Sequence, residues 1–313
     1  MLISYLPLAL VRLRNFLVRL FVIVLLGLSR IFPPSFLLAL APVFTKLIWF
    51  FYPKLKRIAM RNLELCFKDE LPKNLRSRLA YLSFLQAYIA SVEFLYLTHM
   101  EPAKVKSLAI KVTGWAHLEN ALAEGKGVIG LAMHFGNWEF SGIYLPLCGI
   151  PLCAVGKEQR DEFFTELAFR TRSSYGIENI SRDDKFSSSV VRALREGKVL
   201  GLLADQNGGV AGRMAPFFGI PASTARGPAM LHLKFGSPML LVVARRLAPF
   251  QFEIIVKPPV PFELTGRLEE DELRILTAVN QTYEEMIREE PAQWLWVHKR
   301  FKTRPAGEPN LYS

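Results

Sequence analysis

The sequence predicts an α/β protein in which a mostly parallel central sheet is covered by helices on both faces. From residue 109 onward, short apolar runs alternate with amphipathic stretches, which is typical of parallel strands that are buried on both sides. Before residue 109 the chain is apolar with helical spacing, and its first part has the composition of a membrane anchor. We expect an anchor or interfacial segment, 1–48, and a second domain, 49–313, made of a helical lead-in, 49–108, and an α/β core, 109–313.

Each element follows from its hydrophobic pattern and from the glycines and polar residues at its ends. The long helix before the core has apolar residues at mixed three- and four-residue spacings. The predicted strands are 109–113, 128–133, 152–155, 199–204, 239–245 and 252–257, and the predicted helices are 73–97, 115–124, 138–145, 161–173, 185–196, 227–235 and 269–288.

The first 63 residues contain nine basic residues and no acidic one. Their two apolar runs, 20–29 and 31–45, are shorter than the roughly 18 uncharged residues of a clear spanning helix. Arg30 separates the runs, and Pro33-Pro34 should break the helix after it. We expect a retained anchor around residues 20–32 with its basic flank on the cytoplasmic side. The alternative is a buried core helix.

Composition separates the classes of partner. The chain is 51% hydrophobic and carries a net charge of +11, a combination that favours an anionic membrane surface over nucleic acid. The segment 294–305 mixes aromatic and basic residues, and it could stack on nucleic acid or lie at a membrane interface. The apolar N-terminus favours the membrane. The three cysteines have no metal-binding spacing, so we expect reduced thiols.

The predicted strand 128–133 leads directly into His134, and Glu139 follows five residues later. Five residues along a straight helix correspond to about 500° of rotation, so the two side chains can meet only if the chain bends between them. Gly136 permits such a bend, and Asn137 could cap the next helix. We expect His134 in the loop and Glu139 on the first helical turn, where its carboxylate could hold one ring nitrogen and leave the other as a base. The alternative is a structural histidine.

A second segment repeats this arrangement. Residues 121–134 read ALAEGKGVIGLAMH, and residues 193–205 read ALREGKVLGLLAD. Each is a helix end, then Glu-Gly-Lys, then an apolar strand with glycine at its third position. Ligands bind at the carboxyl ends of strands in open α/β sheets. If the two strands are parallel, His134 and Asp205 lie at the same edge of the sheet.

Three arginines, Arg160, Arg170 and Arg172, lie on or near one predicted helix. They could form a solvated face, or they could bind phosphate and stabilise developing negative charge. Gln206 follows Asp205 in a polar loop that could be only a connection. The chain has no G-x-S-x-G elbow, Walker A loop, H-E-x-x-H sequence or G-x-G-x-x-G after a strand.

Several of these pieces resemble one family. His134-x4-Glu139 is similar to the H-x4-D/E motif of the glycerolipid acyltransferases. The string HFGNWE, the pair Asp205-Gln206 and the run WLWVHKRFKTRP resemble the late acyltransferases of lipid A assembly, the lauroyl and myristoyl transferases. So does Arg57-x3-Arg61-Asn62-Leu63 followed by Phe67. The resemblance covers nearly the whole chain.

The resemblance implies a glycerolipid-acyltransferase-like fold at the cytoplasmic face of the bacterial inner membrane. The donor is acyl-acyl carrier protein or acyl-CoA, the acceptor is a lipid A precursor or a similar glycolipid, and neither a metal nor a cofactor is expected. The family's arginine falls on Arg172 or Arg170, with Arg172 preferred, and its aspartate falls on Asp205.

The mechanism expected from these residues uses His134 as the base and Glu139 to fix its tautomer. Arg172 and backbone N–H groups near Gly136 would stabilise the oxyanion, with Asn137, Arg160, Arg170 and Gln206 near the substrates. Four alternatives stay open: an acyltransferase acting on phospholipid or mannosylated phosphoinositide, a thioesterase or hydrolase using the same pair on water, a non-catalytic membrane-binding protein and a nucleic-acid binder. A nucleic-acid binder is the least favoured, because it leaves the apolar N-terminus unexplained.

Overall fold

A computed structural model describes residues 8–156, 161–181 and 186–312. The helices are α1 (Leu8–Ile31), α2 (Pro34–Ala39), α3 (Ala41–Phe51), α4 (Pro53–Phe67), α5 (Lys73–Leu97), α6 (Pro102–Ser107), α7 (Trp115–Ala123), α8 (Trp138–Leu147), α9 (Glu162–Ser174), α10 (Phe186–Arg195), α11 (Gly227–Phe235) and α12 (Leu268–Glu289). The strands are β1 (Ala109–Thr113), β2 (Val128–Ala132), β3 (Leu152–Gly156), β4 (Glu178–Ser181), β5 (Val199–Leu203), β6 (Arg213–Phe217), β7 (Ile220–Thr224), β8 (Met239–Ala248) and β9 (Gln251–Val256).

Seven strands form one sheet in the order β1-β9-β8-β2-β5-β3-β4. Every neighbouring pair of these strands is parallel except β8 and β9, which form an antiparallel hairpin. The predicted mostly parallel sheet is therefore confirmed. Strands β2 and β5 pair directly, with Gly130 opposite Gly201, so the two repeated segments are neighbours and their carboxyl ends meet.

Three strands were not predicted from the sequence: β4 at the edge of the large sheet, and β6 and β7, which form a second sheet. The edge strand β4 is short and polar, with the sequence ENIS, so it lacks the apolar run by which strands were recognised. Strands β6 and β7 form a separate antiparallel hairpin that contains two prolines, Pro216 and Pro221, opposite each other. Proline is uncommon inside strands because it cannot donate to the ladder, which is why this segment resembled a loop.

Side chains of each central strand point alternately to two cores. Ile129 and Leu131 of β2 join the larger cluster, which includes residues of α4, α5 and α12. Val128 of the same strand joins a second cluster, which includes Phe140 and Ile143 of α8. Both faces of the sheet are thus covered, as the continuous apolar strands predicted.

The N-terminal helices pack on α5 and expose apolar side chains on their other side. Leu37 is buried against α5, whereas Phe50 is 78% exposed and Phe51 is 67% exposed. Helix α1 ends at Ile31, so the break predicted at Pro33 is confirmed. Two stretches are long and apolar enough to cross a bilayer, Pro34–Phe51 and Lys73–Leu97, and the second is half buried inside the protein. Pro34–Phe51 is thus a weak candidate anchor, while the anchor expected around residues 20–32 and the division at residue 48 stay predictions.

The C-terminal aromatic and basic segment lies in the core, so its predicted place at a membrane or nucleic-acid interface was wrong. Trp294, Trp296, Arg300 and Phe301 are at most 2% exposed. The burial of Arg300 is partly compensated, because its two Nη atoms find partners while its Nε does not. Arg300 donates to the Ser223 carbonyl and to the Thr224 hydroxyl at 2.6 and 2.9 Å. All three cysteines are free thiols, as expected.

Candidate active site

The loop after β2 delivers His134 to the carboxyl edge of the sheet. The chain turns at Gly136, whose φ is +55° and where an added Cβ would lie 2.0 Å from the Ala244 carbonyl oxygen. Only glycine satisfies both constraints. Asn137 then caps α8 by accepting from the Phe140 N–H at 2.9 Å. His134 therefore lies in the loop and Glu139 on the first turn of α8, as predicted.

The ring of His134 is held by Asp205, not by Glu139. The His134 Nδ1 atom lies 2.8 Å from Asp205 Oδ1. The other carboxylate oxygen accepts from the His134 backbone N–H at 2.9 Å and from the Trp294 indole N–H at 2.8 Å. Asp205 is fully buried, because it lies two residues after the end of the central strand β5. The proximity predicted from the repeated segments is thus a direct contact.

This contact fixes the protonation of the ring. A carboxylate can only accept, so Nδ1 carries the proton and the neutral ring leaves Nε2 as an acceptor. No hydrogen bond from the described residues reaches Nε2, and 20% of the His134 side chain is exposed. The arrangement can remove a proton from an O–H group that approaches the edge of the sheet.

Electrostatics couples the two groups. Burial alone lowers the pKa of His134, but the charge and hydrogen bond of Asp205, with the charge of Glu139, outweigh it and raise the pKa above its ordinary value of 6.5. Burial alone raises the pKa of Asp205. The charge of His134 and the hydrogen bonds from His134 and Trp294 outweigh it, so the pKa falls below its usual range. Each group therefore favours the charged form of the other.

Glu139 binds Arg172 instead of the histidine. The guanidinium of Arg172, on α9, donates from Nε and Nη2 to the two carboxylate oxygens at 2.8 and 2.7 Å. Burial alone lowers the pKa of Arg172, and the charge and hydrogen bonds of Glu139 more than offset this, so the pKa is raised. Both side chains are about 15% exposed and line the mouth of an apolar cavity. We expected Glu139 to hold the ring of His134, and this expectation is wrong. Its carboxylate holds the guanidinium of Arg172 instead.

The backbone N–H groups of His134, Gly136 and Asn137 are all engaged, which corrects the expectation that these groups stabilise an oxyanion. The N–H of Gly136 donates to the Gln293 carbonyl and that of Asn137 to the Ala244 carbonyl, both at 3.1 Å. The N–H of His134 donates to Asp205. Arg172 is the positively charged donor that lines the cavity.

The remaining predicted site residues lie in different places relative to the site. Asn137 is 2% exposed and bonded to Glu93, so it supports the loop and does not face a ligand. Arg170 is 78% exposed in its side chain and pairs with Glu166 on the outer face of α9, so it lies away from the site. Gln206 is half-buried next to Asp205, and its proposed contact with substrate stays a prediction. Arg160 lies outside the described residues.

Sequence reasoning missed four residues that support the site. The Trp294 indole donates to Asp205. Arg246 pairs with Glu93 and donates to the Gly136 carbonyl, so this pair holds the loop. His298 accepts from the Asn207 N–H at 3.1 Å, and burial lowers its pKa to about 4, so it stays neutral while it fixes the loop after Asp205. Trp294 and His298 both lie in the string WLWVH, which the sequence analysis did single out. Its aromatic and basic residues suggested a surface, whereas the segment lies in the core.

The cavity lies between α8 and the central strands. Its end lined by Trp138, Glu139 and Arg172 is the one nearer to His134, whose ring centroid lies 5.2 Å from that of Trp138, and we call this end its mouth. The centre of a water-sized sphere can occupy about 60 Å³ of the cavity, so it is narrow. Leu145, Leu152 and Val199 line its far end, so its interior is apolar. A base at the edge of a sheet, a charged arginine and an apolar cavity define a site that can activate a hydroxyl beside a bound hydrocarbon chain.

The comparisons with known proteins agree with this class of site. Residues 8–303 match the model of the bacterial lipid A biosynthesis acyltransferases. The chain is 30% identical to the lipid A biosynthesis palmitoleoyltransferase of Escherichia coli K12, over 83% of this chain and 84% of that protein. It is 26% identical to the lauroyltransferase of the same strain, over 85% of each chain. It is also 29% identical to a phosphatidylinositol mannoside acyltransferase of Mycobacterium tuberculosis, over 41% of this chain and 42% of that protein. The chain belongs to the bacterial lipid A biosynthesis acyltransferase family.

Proposed function

We propose that this protein transfers a fatty acyl chain from an acyl thioester to a hydroxyl group of a lipid A precursor or a closely related glycolipid. The observation that carries the proposal is His134, whose Nδ1 lies against Asp205, whose Nε2 meets no hydrogen-bond partner among the described residues, and whose ring centroid lies 5.2 Å from that of Trp138 in the cavity wall. The relatives named above, which act on lipid A or on phosphatidylinositol mannoside, support a glycolipid acceptor.

In the proposed reaction, His134 Nε2 accepts the proton of the acceptor hydroxyl as its oxygen attacks the thioester carbon. The C–O bond forms, the C–S bond breaks, and the imidazolium returns the proton to the thiolate that leaves. Asp205 stabilises the imidazolium, in the role first assigned to Glu139. Arg172, held by Glu139, stabilises the negative charge on the carbonyl oxygen. Acyl-acyl carrier protein and acyl-CoA both supply such a thioester.

The same proposal places the protein on the bacterial inner membrane, with its catalytic edge on the cytoplasmic side. The exposed apolar side chains of α1 and α3, such as Phe16, Phe21 and Phe50, are suited to insertion among lipids. The basic residues between them favour anionic headgroups. Membrane flotation of the full chain, with and without Phe50→Glu and Phe51→Glu, tests this location: equal flotation of both proteins would contradict it.

The test of the reaction is a transfer assay with His134→Ala. Loss of the base should lower the transfer rate at least ~100-fold, because general-base catalysis contributes about that much or more. Gln206→Ala is a useful companion, since it alters the next residue but leaves the base intact. Near-normal transfer by folded His134→Ala protein would refute the role of the histidine.

Hydrolysis of the thioester is the competing outcome, because the same Nε2 atom can activate water. Mass spectrometry of the products with and without the glycolipid acceptor separates the two reactions. An acylated glycolipid that forms at the expense of free fatty acid supports transfer. Free fatty acid as the only product, at a rate that the acceptor does not change, supports a hydrolase.

A further inference from the structure

The far part of the cavity is shaped by glycines that the proposed reaction does not itself require. On α8, the residues that line it are Trp138, Ser141, Gly142 and Leu145, which share one helix face at spacings of three and four. Trp138 is close to the mouth, since its ring centroid lies 5.2 Å from that of His134. Leu145 is seven residues further, so the cavity extends ~10 Å along the helix.

The opposite wall of the cavity is formed by three strands of the sheet, and its lining residues lie at two successive levels along them. Gly130 of β2, Gly201 of β5 and Ala154 of β3 are register partners across three adjacent strands, and all three line the cavity. One level deeper, toward the amino ends of the strands, the partners are Leu152 and Val199. The cavity is therefore open where the glycines lie and closed where these larger side chains begin.

A side chain at any of the glycines would enter this space. A Cβ on Gly142 would lie 3.6 Å from Leu152 Cδ2 and 3.7 Å from Ile177 Cδ1, which is ordinary van der Waals contact. A Cβ on Gly201 would lie 3.3 Å from Leu152 Cδ1. A Cβ on Gly130 would lie only 2.8 Å from Val199 Cγ1, so that neighbour would have to move. Each contacted side chain itself lines the cavity.

We propose that Gly130, Gly142 and Gly201 set the length of the acyl chain that this protein accepts, a role that rests on the proposed acyl transfer. The thioester stays at the mouth beside His134 and Arg172, and the hydrocarbon chain extends between α8 and the sheet until it meets Leu145, Leu152 and Val199. The related palmitoleoyltransferase and lauroyltransferase carry the names of different chains, so length is a property that varies among the relatives.

Gly142→Ala and Gly201→Ala are the variants that test this role. Gly142→Ala should fold well, because alanine is favoured over glycine inside a helix and its methyl group meets no clash. Gly227→Ala is the matched control: an added Cβ there meets nothing within 4 Å, and this residue does not line the cavity. The full-length proteins are assayed for kcat/KM with acyl-CoA or acyl-acyl carrier protein donors from octanoyl to stearoyl, whichever class the wild type uses.

Both cavity variants should shift the preferred donor to a shorter chain. A methylene that no longer fits a hydrophobic pocket costs roughly 10- to 200-fold in kcat/KM, so the ratio of long-chain to short-chain kcat/KM should fall at least ~10-fold. Gly227→Ala should keep the wild-type ratio. Leu145→Ala, which removes a side chain at the far end, should shift the preference toward longer chains. An unchanged profile in Gly142→Ala, with wild-type transfer intact, would overturn the length role and leave the proposed function standing.

A binding measurement separates failure of the two proposals. In the His134→Ala background, which prevents turnover, acyl-CoA of each length is tested for protection against thermal unfolding. Gly142→Ala should move the best-protecting length downward in this assay as well. If the wild type transfers no chain but the protection profile still shifts, the proposed function fails, while the glycines still set the length of the acyl chain that binds. If acyl-CoA protects His134→Ala and His134→Ala/Gly142→Ala with the same length profile, the length role fails.

Discussion

The loop from His134 to Asn137 is held by two hydrogen-bonded side-chain pairs that differ in their exposure to solvent. At the edge of the sheet, His134 pairs with Asp205, and the two side chains are 20% and 0% exposed. Beneath the loop, Arg246 pairs with Glu93 at 2.6 Å, and these side chains are 2% and 1% exposed. The first pair leaves the ring atom Nε2 facing outward, while the second lies almost wholly inside the protein.

The buried pair of Arg246 and Glu93 makes several further hydrogen bonds inside the protein. Glu93 accepts from Arg246 through both oxygens, from the Asn137 amide at 2.9 Å and from the Phe250 N–H at 3.1 Å. Arg246 also donates to the Gly136 carbonyl at 2.9 Å and to Gln86. Because both side chains are buried and engaged inside the protein, neither is placed to exchange a proton with a substrate. The difference teaches that one pair performs chemistry and the other holds the loop that presents it.

The largest expected effect comes from Asp205→Asn. Asp205 Oδ2 accepts two N–H groups, so the amide oxygen of asparagine should take that position and turn its NH₂ toward His134 Nδ1. The ring must then accept at Nδ1 and carry its proton on Nε2, which removes the base. We expect a loss of at least ~100-fold in transfer rate with nearly unchanged circular dichroism. A folded Asp205→Asn enzyme with wild-type activity would show that the tautomer is set by another group.

Arg246→Met should affect stability instead. Removal of one partner from a buried ion pair leaves the charge of Glu93 unpaired, which typically costs about 3–5 kcal/mol of unfolding free energy. Denaturant-induced unfolding in detergent measures this. Arg274→Met, at an exposed pair with Glu270, is the matched control and should cost far less. Equal stability of the two variants would remove the distinction between the pairs.

The pH dependence of transfer should report the pair at the edge of the sheet. His134 must be neutral to act as a base, and its pKa is raised by Asp205, so activity should rise with pH through an apparent pKa above 6.5. Below that value kcat/KM should fall about tenfold per pH unit. The measurement is a pH profile of kcat/KM under conditions where the protein stays folded. An apparent pKa below 6.5 for this rise in kcat/KM would contradict the assigned effect of Asp205 on His134.

The smallest effect is expected for Arg170→Ala. This arginine lies on the exposed face of α9 and pairs with Glu166 four residues away, and such surface pairs contribute at most about 0.5 kcal/mol. Transfer rate and thermal stability should stay close to those of the wild type. A large loss of transfer would show that the outer face of α9 takes part in substrate binding, as the sequence first suggested.

Local patterns were enough to predict much of the fold and part of the site. The apolar runs predicted β2 and β5 to within one residue at each end, because strands buried on both faces must be continuously apolar. The repeated helix-strand segments placed His134 and Asp205 at one edge. The short polar strand β4 and the proline-containing hairpin β6–β7 escaped, since their residues lack such patterns.

The sequence by itself determined the positions of the histidine, the glycine turn and the aspartate, because strand periodicity and backbone freedom are local properties. Only the tertiary structure decided which carboxylate holds the ring. Glu139 is nearer in sequence, but the turn at Gly136 places it on α8 facing Arg172, while the parallel pairing of β2 with β5 brings Asp205 against His134. The tertiary structure likewise decided that the aromatic and basic C-terminal segment is core, since burial depends on partners more than 70 residues away, such as Asp205 for Trp294 and Ser223 for Arg300.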